Sequence, residues 1–307
     1  MATQTTNVAP QSLAEATVVL NLELGRVSNR RRLSSSTDAV ETEIDRDMLH
    51  LSIDLFDAEE LRKCWNFLYA LKARIRAFTV PSFLRGGMYL VKVEGVETVE
   101  AMLTEAQQEF LPLVQAFAEV IDERREESKE RLGPAYDAGL YPSADQVISA
   151  FSVSWRWLSL STPSSLKRIS KAFFERERQK ADENFQMAIE GINKMLASEA
   201  KKLVEHAIER LTPDEDGKAK QFKANSFNNI TQFLEKFSFR NIGSSEELTQ
   251  QIERMRGLMD GVSPEDVRTS DKLREDLSKG FERVAVSLDK LIVAKPTRFI
   301  NIKKTTE

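Results

Sequence analysis

Two runs of apolar residues at helical spacing dominate this sequence and leave few folds open to it. In the first, Val99, Leu103, Ala106, Phe110, Leu113, Phe117 and Val120 alternate at intervals of four and three residues. That heptad seam puts one apolar stripe on a helix and favours left-handed pairing with a second helix. In the second, Phe185, Ile189, Ile192, Leu196, Ala200, Leu203, Ala207 and Leu211 step by 4, 3, 4, 4, 3, 4 and 4, a mean of about 3.7 that favours a straighter path. The helices predicted over 97–132 and 170–211 would each span roughly 50–60 Å at ~1.5 Å per residue. A helix cannot bury its own stripe. Phe185, Ile189, Ile192, Leu196 and Leu203 are therefore expected to pack against 97–132, with Pro112 kinking the first helix.

The remaining segments are shorter. Residues 17–24 alternate Leu20, Leu22 and Leu24 with Asn21 and Glu23, a strand pattern ended by Gly25. Two more strands are expected, over 88–93 and over 151–160, the latter with Val153, Trp155 and Trp157 on one face. A helix over about 57–78 would start with Asp57 as N-cap and Glu60 completing a capping box, and Ser143 with Gln146 would do the same for a short helix to about 150. Three further helices are expected near 226–237, 245–260 and 263–293, the last opened by Ser263 and Pro264 and broken near Ser270.

The fold class read from this is mainly α: an elongated helical hairpin or bundle with long coiled-coil-like helices and a small β-sheet at one end. Helix should exceed half of the chain. The expected domains are a disordered arm over 1–16, a strand-containing head with the long hairpin over 17–211, a C-terminal helical region over 212–294 and a basic tail over 295–307.

Composition narrows function by exclusion. Gly and Pro number only 12 and 9, too few for a succession of tight β-turns. The formal net charge of −4 carries no global nucleic-acid footprint. The one cysteine, Cys64, rules out an intramolecular disulfide and suits a reducing compartment. No apolar run reaches membrane-spanning length, and residues 1–11 are polar and unlike a secretory signal. A cytoplasmic protein is expected.

Catalytic and metal motifs are missing. The two histidines, His50 and His206, lack metal-ligand spacing, and residue 203 is leucine where a Glu-x-x-His pair would need an acid. Neither a Walker loop nor a Rossmann glycine pattern is present, and the DEDGK stretch at 214–218 fails EF-hand spacing. Cys64 reads as a structural cysteine. Glu119, Asp122, Glu123, Glu126, Glu127 and Glu130 are interleaved with Arg124, Arg125, Lys129 and Arg131, the pattern of a solvated helix face. No metal, cofactor or catalytic residue is expected.

The sharpest feature is a basic loop, Arg26, Arg30, Arg31 and Arg32, with no acid before Asp38. Arginine forks suit carboxylate or phosphate, so these four are the candidate residues for an anionic partner. The alternative is internal pairing with the acidic run over 38–47. Arg62, Lys63, Lys72, Arg74, Arg76 and Arg85 could add to a nucleic-acid surface. Trp155 and Trp157, two residues apart on a strand, are either a stacking platform for bases or an anchor of the sheet in the core.

The stretches GRVSNRRRLSSS (25–36), VPSFLRGGMYLV (80–91), YPSADQVISAFSVSWRWLSL (141–160) and SFRNI (238–242), in that order, resemble an uncharacterised, mostly helical family of bacteria and tailed phages. Its members are often encoded near MoxR-type AAA+ ATPases and von Willebrand A-type proteins. The resemblance covers roughly 17–260 and carries over no catalytic residue. It implies a non-enzymatic partner in an ATPase-linked system. The expected function is a helical scaffold or adaptor with a protein partner, in which homo-oligomerisation is an open option. The alternative is a nucleic-acid-binding accessory protein of phage or mobile-element origin that uses the loop over 26–32.

Overall fold

The computed structural model describes residues 15–32, 52–213, 224–243 and 245–293. The expected arm over 1–16 (save its last two residues), the acidic run 38–47, His50, the DEDGK stretch and the tail over 295–307 lie outside them. Helix accounts for 72% of the described residues, with a small antiparallel four-stranded sheet, so the protein is mainly α as expected. The chain forms two compact units, Val19–Leu158, and Ser159–Glu307 with Met1–Val18. The second long helix therefore shares a unit with the C-terminal helices, where the boundary expected from sequence fell after residue 211.

In chain order the first unit contains β1 (Thr17–Gly25, from Val19 on), β2 (Arg30–Arg32), β3 (Ser52–Asp54), α1 (Glu59–Phe78), β4 (Val80–Pro81), β5 (Met88–Lys92), α2 (Val96–Leu132), α3 (Ala144–Ala150) and β6 (Ser152–Leu158). The sheet has the order β4-β5-β1-β6, and β2 and β3 form a separate two-stranded ribbon. β1 and β6 run antiparallel with Leu22 opposite Trp155 and Leu20 opposite Trp157. Gly25, opposite Ser152, is required by space: a Cβ there would lie 2.5 Å from the Ala150 carbonyl oxygen.

α1 buries Leu61, Cys64, Leu68, Leu71 and Ile75, one stripe at alternating intervals of three and four. It lies antiparallel to α2, since Arg74 pairs with Glu105 and Cys64 meets the Leu113 carbonyl. The buried stripe of α2 follows the heptad through Phe110 and again at Phe117. Past Phe110 the buried residues are Val114, Phe117, Ala118 and Ile121, while Leu113 and Val120 are half-exposed. A straight helix drifts by about 20° per heptad, so the inward stripe moves one residue along. The helix continues unbroken through Pro112, which is exposed.

Asp57 does not cap α1. The helix starts after Ala58 without a side-chain cap, and the Asp57 carboxylate instead accepts from Arg62 at 2.7 Å and Arg131 at 3.0 Å. Both guanidiniums hold its carboxyl below the usual carboxylate range. The capping box of Ser143 and Gln146 on α3 forms as expected.

The second unit contains α4 (Leu166–Ile169), α5 (Lys171–Leu211), α6 (Ala224–Arg240), α7 (Glu246–Met259), α8 (Pro264–Thr269) and α9 (Asp271–Val293). α8 and α9 divide at Ser270, the expected break. α9 buries Arg274, Leu277, Phe281, Val284 and Leu288 and packs along α5. Lys201 bonds Asp289 at 2.6 Å and Arg274 reaches the Arg210 and Leu211 carbonyls, so the two helices are antiparallel. Arg274 thereby satisfies carbonyls that the end of α5 leaves open. The antiparallel pairing expected of 97–132 with 170–211 is thus built from helices inside each unit: α2 with α1, α5 with α9.

Phe185, Ile189, Ile192 and Leu196 are buried on α5, but Leu203 is half-exposed and Val204 takes the inward position. α6 is tied to α5 by a two-pronged ion pair, Arg240 to Glu199 at 2.9 and 2.6 Å, with Arg240 buried. Among the described residues no helix is long and apolar enough to cross a membrane.

Leu196 is fully buried. Leu196→Ala is expected to cost roughly 2–5 kcal/mol, read as a lowered denaturation midpoint, whereas Leu203→Ala should cost clearly less.

Candidate functional site

The basic stretch over 26–32 is only partly a loop. Arg30, Arg31 and Arg32 form β2, opposite Asp54, Ile53 and Ser52 of β3. Pairing continues one step further, because the Leu55 amide donates to the Asn29 carbonyl at 2.8 Å.

Asn29 is the residue that holds this ribbon. Its side-chain amide donates to the Phe56 carbonyl at 2.7 Å, and its side-chain carbonyl accepts the Phe56 amide at 2.8 Å. Both bonds are buried, where an unmet backbone group costs about 1–3 kcal/mol. Leu55 and Phe56 are buried in turn. The Ser128 hydroxyl of α2 donates to the Leu55 carbonyl at 2.7 Å, and the Phe56 ring stands edge-on to Phe117 and Tyr141. A chain of contacts thus runs from α2 through Phe56 and Asn29 to the arginine strand.

The four arginines have different surroundings. Arg30 is exposed and pairs with Asp54 at 3.3 Å. Arg31 donates to the Arg30 carbonyl at 3.3 Å. Arg32 is exposed at the end of the strand. Arg26 turns to α1 and donates to the Tyr69 hydroxyl at 3.1 Å. Of the other basic residues singled out, Arg62, Lys63 and Arg74 are paired with Asp57, Glu59 and Glu105. Such exposed pairs contribute little stability, but they offset charge that would otherwise face a polyanion.

Trp155 and Trp157 lie on the same face of β6, each half-buried. Both indole N–H groups donate to one oxygen of Glu100 on α2, at 2.7 and 2.8 Å. Gln107 on the same helix donates to the Val153 carbonyl at 2.9 Å. The pair anchors the sheet to the helix through a shared carboxylate. Glu100 was missed in the sequence; its signal is the spacing of seven to Gln107, two polar residues on the flank of the apolar stripe.

Part of the carboxylate cluster on α2 is accounted for by local contacts. Asp122, Glu126 and Glu127 pair with Arg125, Lys129 and Arg124 one turn away. His206 is exposed on α5. Cys64 is fully buried, its sulfur 3.4 Å from the Leu113 carbonyl, and burial pushes its thiol up to about 11. Among the described residues no three His, Cys, Asp or Glu side chains gather to hold a metal ion.

Compared with protein-family models, with curated proteins and with solved structures, the chain matches none.

Removing the Asn29 amide leaves both polar groups of Phe56 without their partner. Asn29→Ala is expected to lower stability by roughly 1–3 kcal/mol, measured by chemical denaturation. For Cys64, the folded thiol titrates near 11 and the unfolded one near 9.0. The fold keeps its proton where the unfolded chain loses it. Stability is therefore complete below pH 9.0 and falls as pH rises towards 11, by at most about 1.4 kcal/mol per pH unit. Cys64→Ala should flatten that slope in thermal melts taken across the alkaline range.

Proposed function

We propose that this protein is a non-enzymatic helical scaffold or adaptor whose Val19–Leu158 unit captures an acidic segment of a protein partner on the arginine strand. The observation that carries the reading is the side-chain clasp of Asn29 on Phe56, which ties three consecutive arginines to the helical core. A chain gains little stability from gathering like charges at its surface. Held on a strand, their guanidinium forks cost less entropy to engage than the same groups on a loose loop.

Two observations favour a protein over a nucleic acid. Among the described residues β2 spans three, roughly 10 Å at ~3.3 Å per residue, a short footprint for a phosphate backbone. The neighbouring basic side chains Arg62, Lys63 and Arg74 already have carboxylate partners. The non-enzymatic reading is supported by the raised thiol of Cys64 and the local pairing of the carboxylates of α2. The family resemblance suggests a MoxR-type AAA+ ATPase as the class of partner. A cytoplasmic location follows from the single cysteine and the proposed partner.

Replacing Arg30, Arg31 and Arg32 together with Gln is expected to leave the melting temperature nearly unchanged, since exposed charges contribute roughly 0–1 kcal/mol. Capture of a synthetic acidic peptide should weaken and lose its salt dependence. A variant that binds the peptide as before overturns the proposal. Salt-dependent binding of a DNA or RNA oligonucleotide in preference to the peptide would replace it with the nucleic-acid reading.

A further inference from the structure

The Val19–Leu158 unit contains a second concave feature, and it lies between α1 and the sheet. A cleft of about 280 Å³ is walled by Leu22 of β1, Trp65 and Tyr69 of α1, and Tyr89 of β5, with Arg26 and Lys72 among its lining residues. From these groups we infer a binding site for a small aromatic carboxylate. This inference is independent of the role assigned to the arginine strand.

Size comes first. A cavity of ~150 Å³ accepts a single benzene ring, and ordinary ligand pockets begin near ~300 Å³. This cleft suits one or two fused rings. Its walls suit them chemically, because aromatic faces and edges gain from contact with another ring.

Charge is the second observation. Three other basic side chains of α1 are matched, Arg62 with Asp57, Lys63 with Glu59 and Arg74 with Glu105. Arg26 and Lys72, which share the cleft, form no ion pair with a carboxylate among the described residues. The Tyr69 hydroxyl accepts from the Arg26 guanidinium and leaves its other donors for an incoming anion. An arginine fork and an ammonium beside an aromatic wall recognise a ring that carries a carboxylate.

The third observation is a donor in need of an acceptor. The indole N–H of Trp65 is buried and has no hydrogen-bond partner. An unmet buried donor costs about 1–3 kcal/mol, so a well-packed core would be expected either to satisfy it or to hold phenylalanine. The nitrogen is closed off from solvent as the cleft stands, so a shift of the Trp65 ring would have to accompany binding. A carboxylate oxygen then reaching it would satisfy it, as the Glu100 carboxylate does for Trp155 and Trp157.

The full chain, titrated by calorimetry with 2-naphthoate, is expected to bind one equivalent. The uncharged 2-naphthamide and the ring-free acetate should each bind at least about tenfold more weakly, the ratio that corresponds to ~1.4 kcal/mol. Arg26→Gln and Lys72→Gln should each weaken 2-naphthoate, and Trp65→Phe should weaken it without removing the aromatic wall. Lys72 is exposed, so Lys72→Gln tests the site even if another variant folds poorly. The Arg30, Arg31 and Arg32 triple Gln variant should bind 2-naphthoate unchanged, which separates failure of this site from failure of the arginine strand. Absence of saturable binding, equal affinity for 2-naphthamide, or indifference to both Arg26→Gln and Lys72→Gln would overturn the inference.

Discussion

A long amphipathic helix cannot bury its own apolar stripe, and both units of this protein are answers to that constraint. α2 carries Val99, Leu103, Ala106, Phe110, Val114, Phe117 and Ile121 inward. Each of these needs a neighbour from another element, because burial of apolar area is the dominant favourable contribution to folding. α1 supplies one wall, antiparallel to it. Phe110 bridges the layers, with its ring stacked on Phe67 of α1 and edge-on to Phe151, which leads into β6. In the second unit α5 meets the same demand through α9, whose inward residues recur at intervals of three and four.

What the helices leave polar is placed with equal care. Backbone groups brought into a core must be paired, and the polar side chains that do this here are small in number. Ser128 and Asn29 together satisfy the strand that ends at Phe56. Arg274 closes carbonyls at the end of α5. Glu100 takes two indole donors at once. Each of these contacts joins segments far apart in sequence, and each sets the position of a surface element that the apolar stripes alone would leave loose.

Charge follows a different logic. Most basic side chains of α1 and α2 face a carboxylate within one turn or on the adjacent helix, which leaves little positive charge unpaired on those surfaces. Two groups of cations stand apart. The arginine strand concentrates three guanidiniums with Asp54 opposite, and Arg26 and Lys72 share an aromatic cleft. These are the two places proposed to receive an anion.

The elements themselves were legible because their causes are local. Helical spacing marked α2 and α5, alternation marked β1 and β6, and Ser143, Ser170, Ser245 and Ser263 mark helix starts through bonds that reach only three residues. The arginine cluster was visible as composition. The partners of the long helices were not, since a stripe says that a helix needs a partner without saying which one; the antiparallel companions of α2 and α5 proved to be α1 and α9. Asp57 looked like a cap and became the acceptor for Arg62 and Arg131, because Arg131 reaches it from the far end of another helix. Nor could local pattern show that Asn29 would clasp Phe56, that Glu100 would join two tryptophans, or that Arg26 and Lys72 would share a cleft with Trp65. Sequence by itself determined the longer helices, the strands β1, β5 and β6 and where charge gathers, because those properties depend on neighbours a few residues away, whereas the arginine stretch read as a loop became β2 only through its pairing with β3. The tertiary structure alone decided which groups meet, because contacts across tens of residues depend on how the stripes pack.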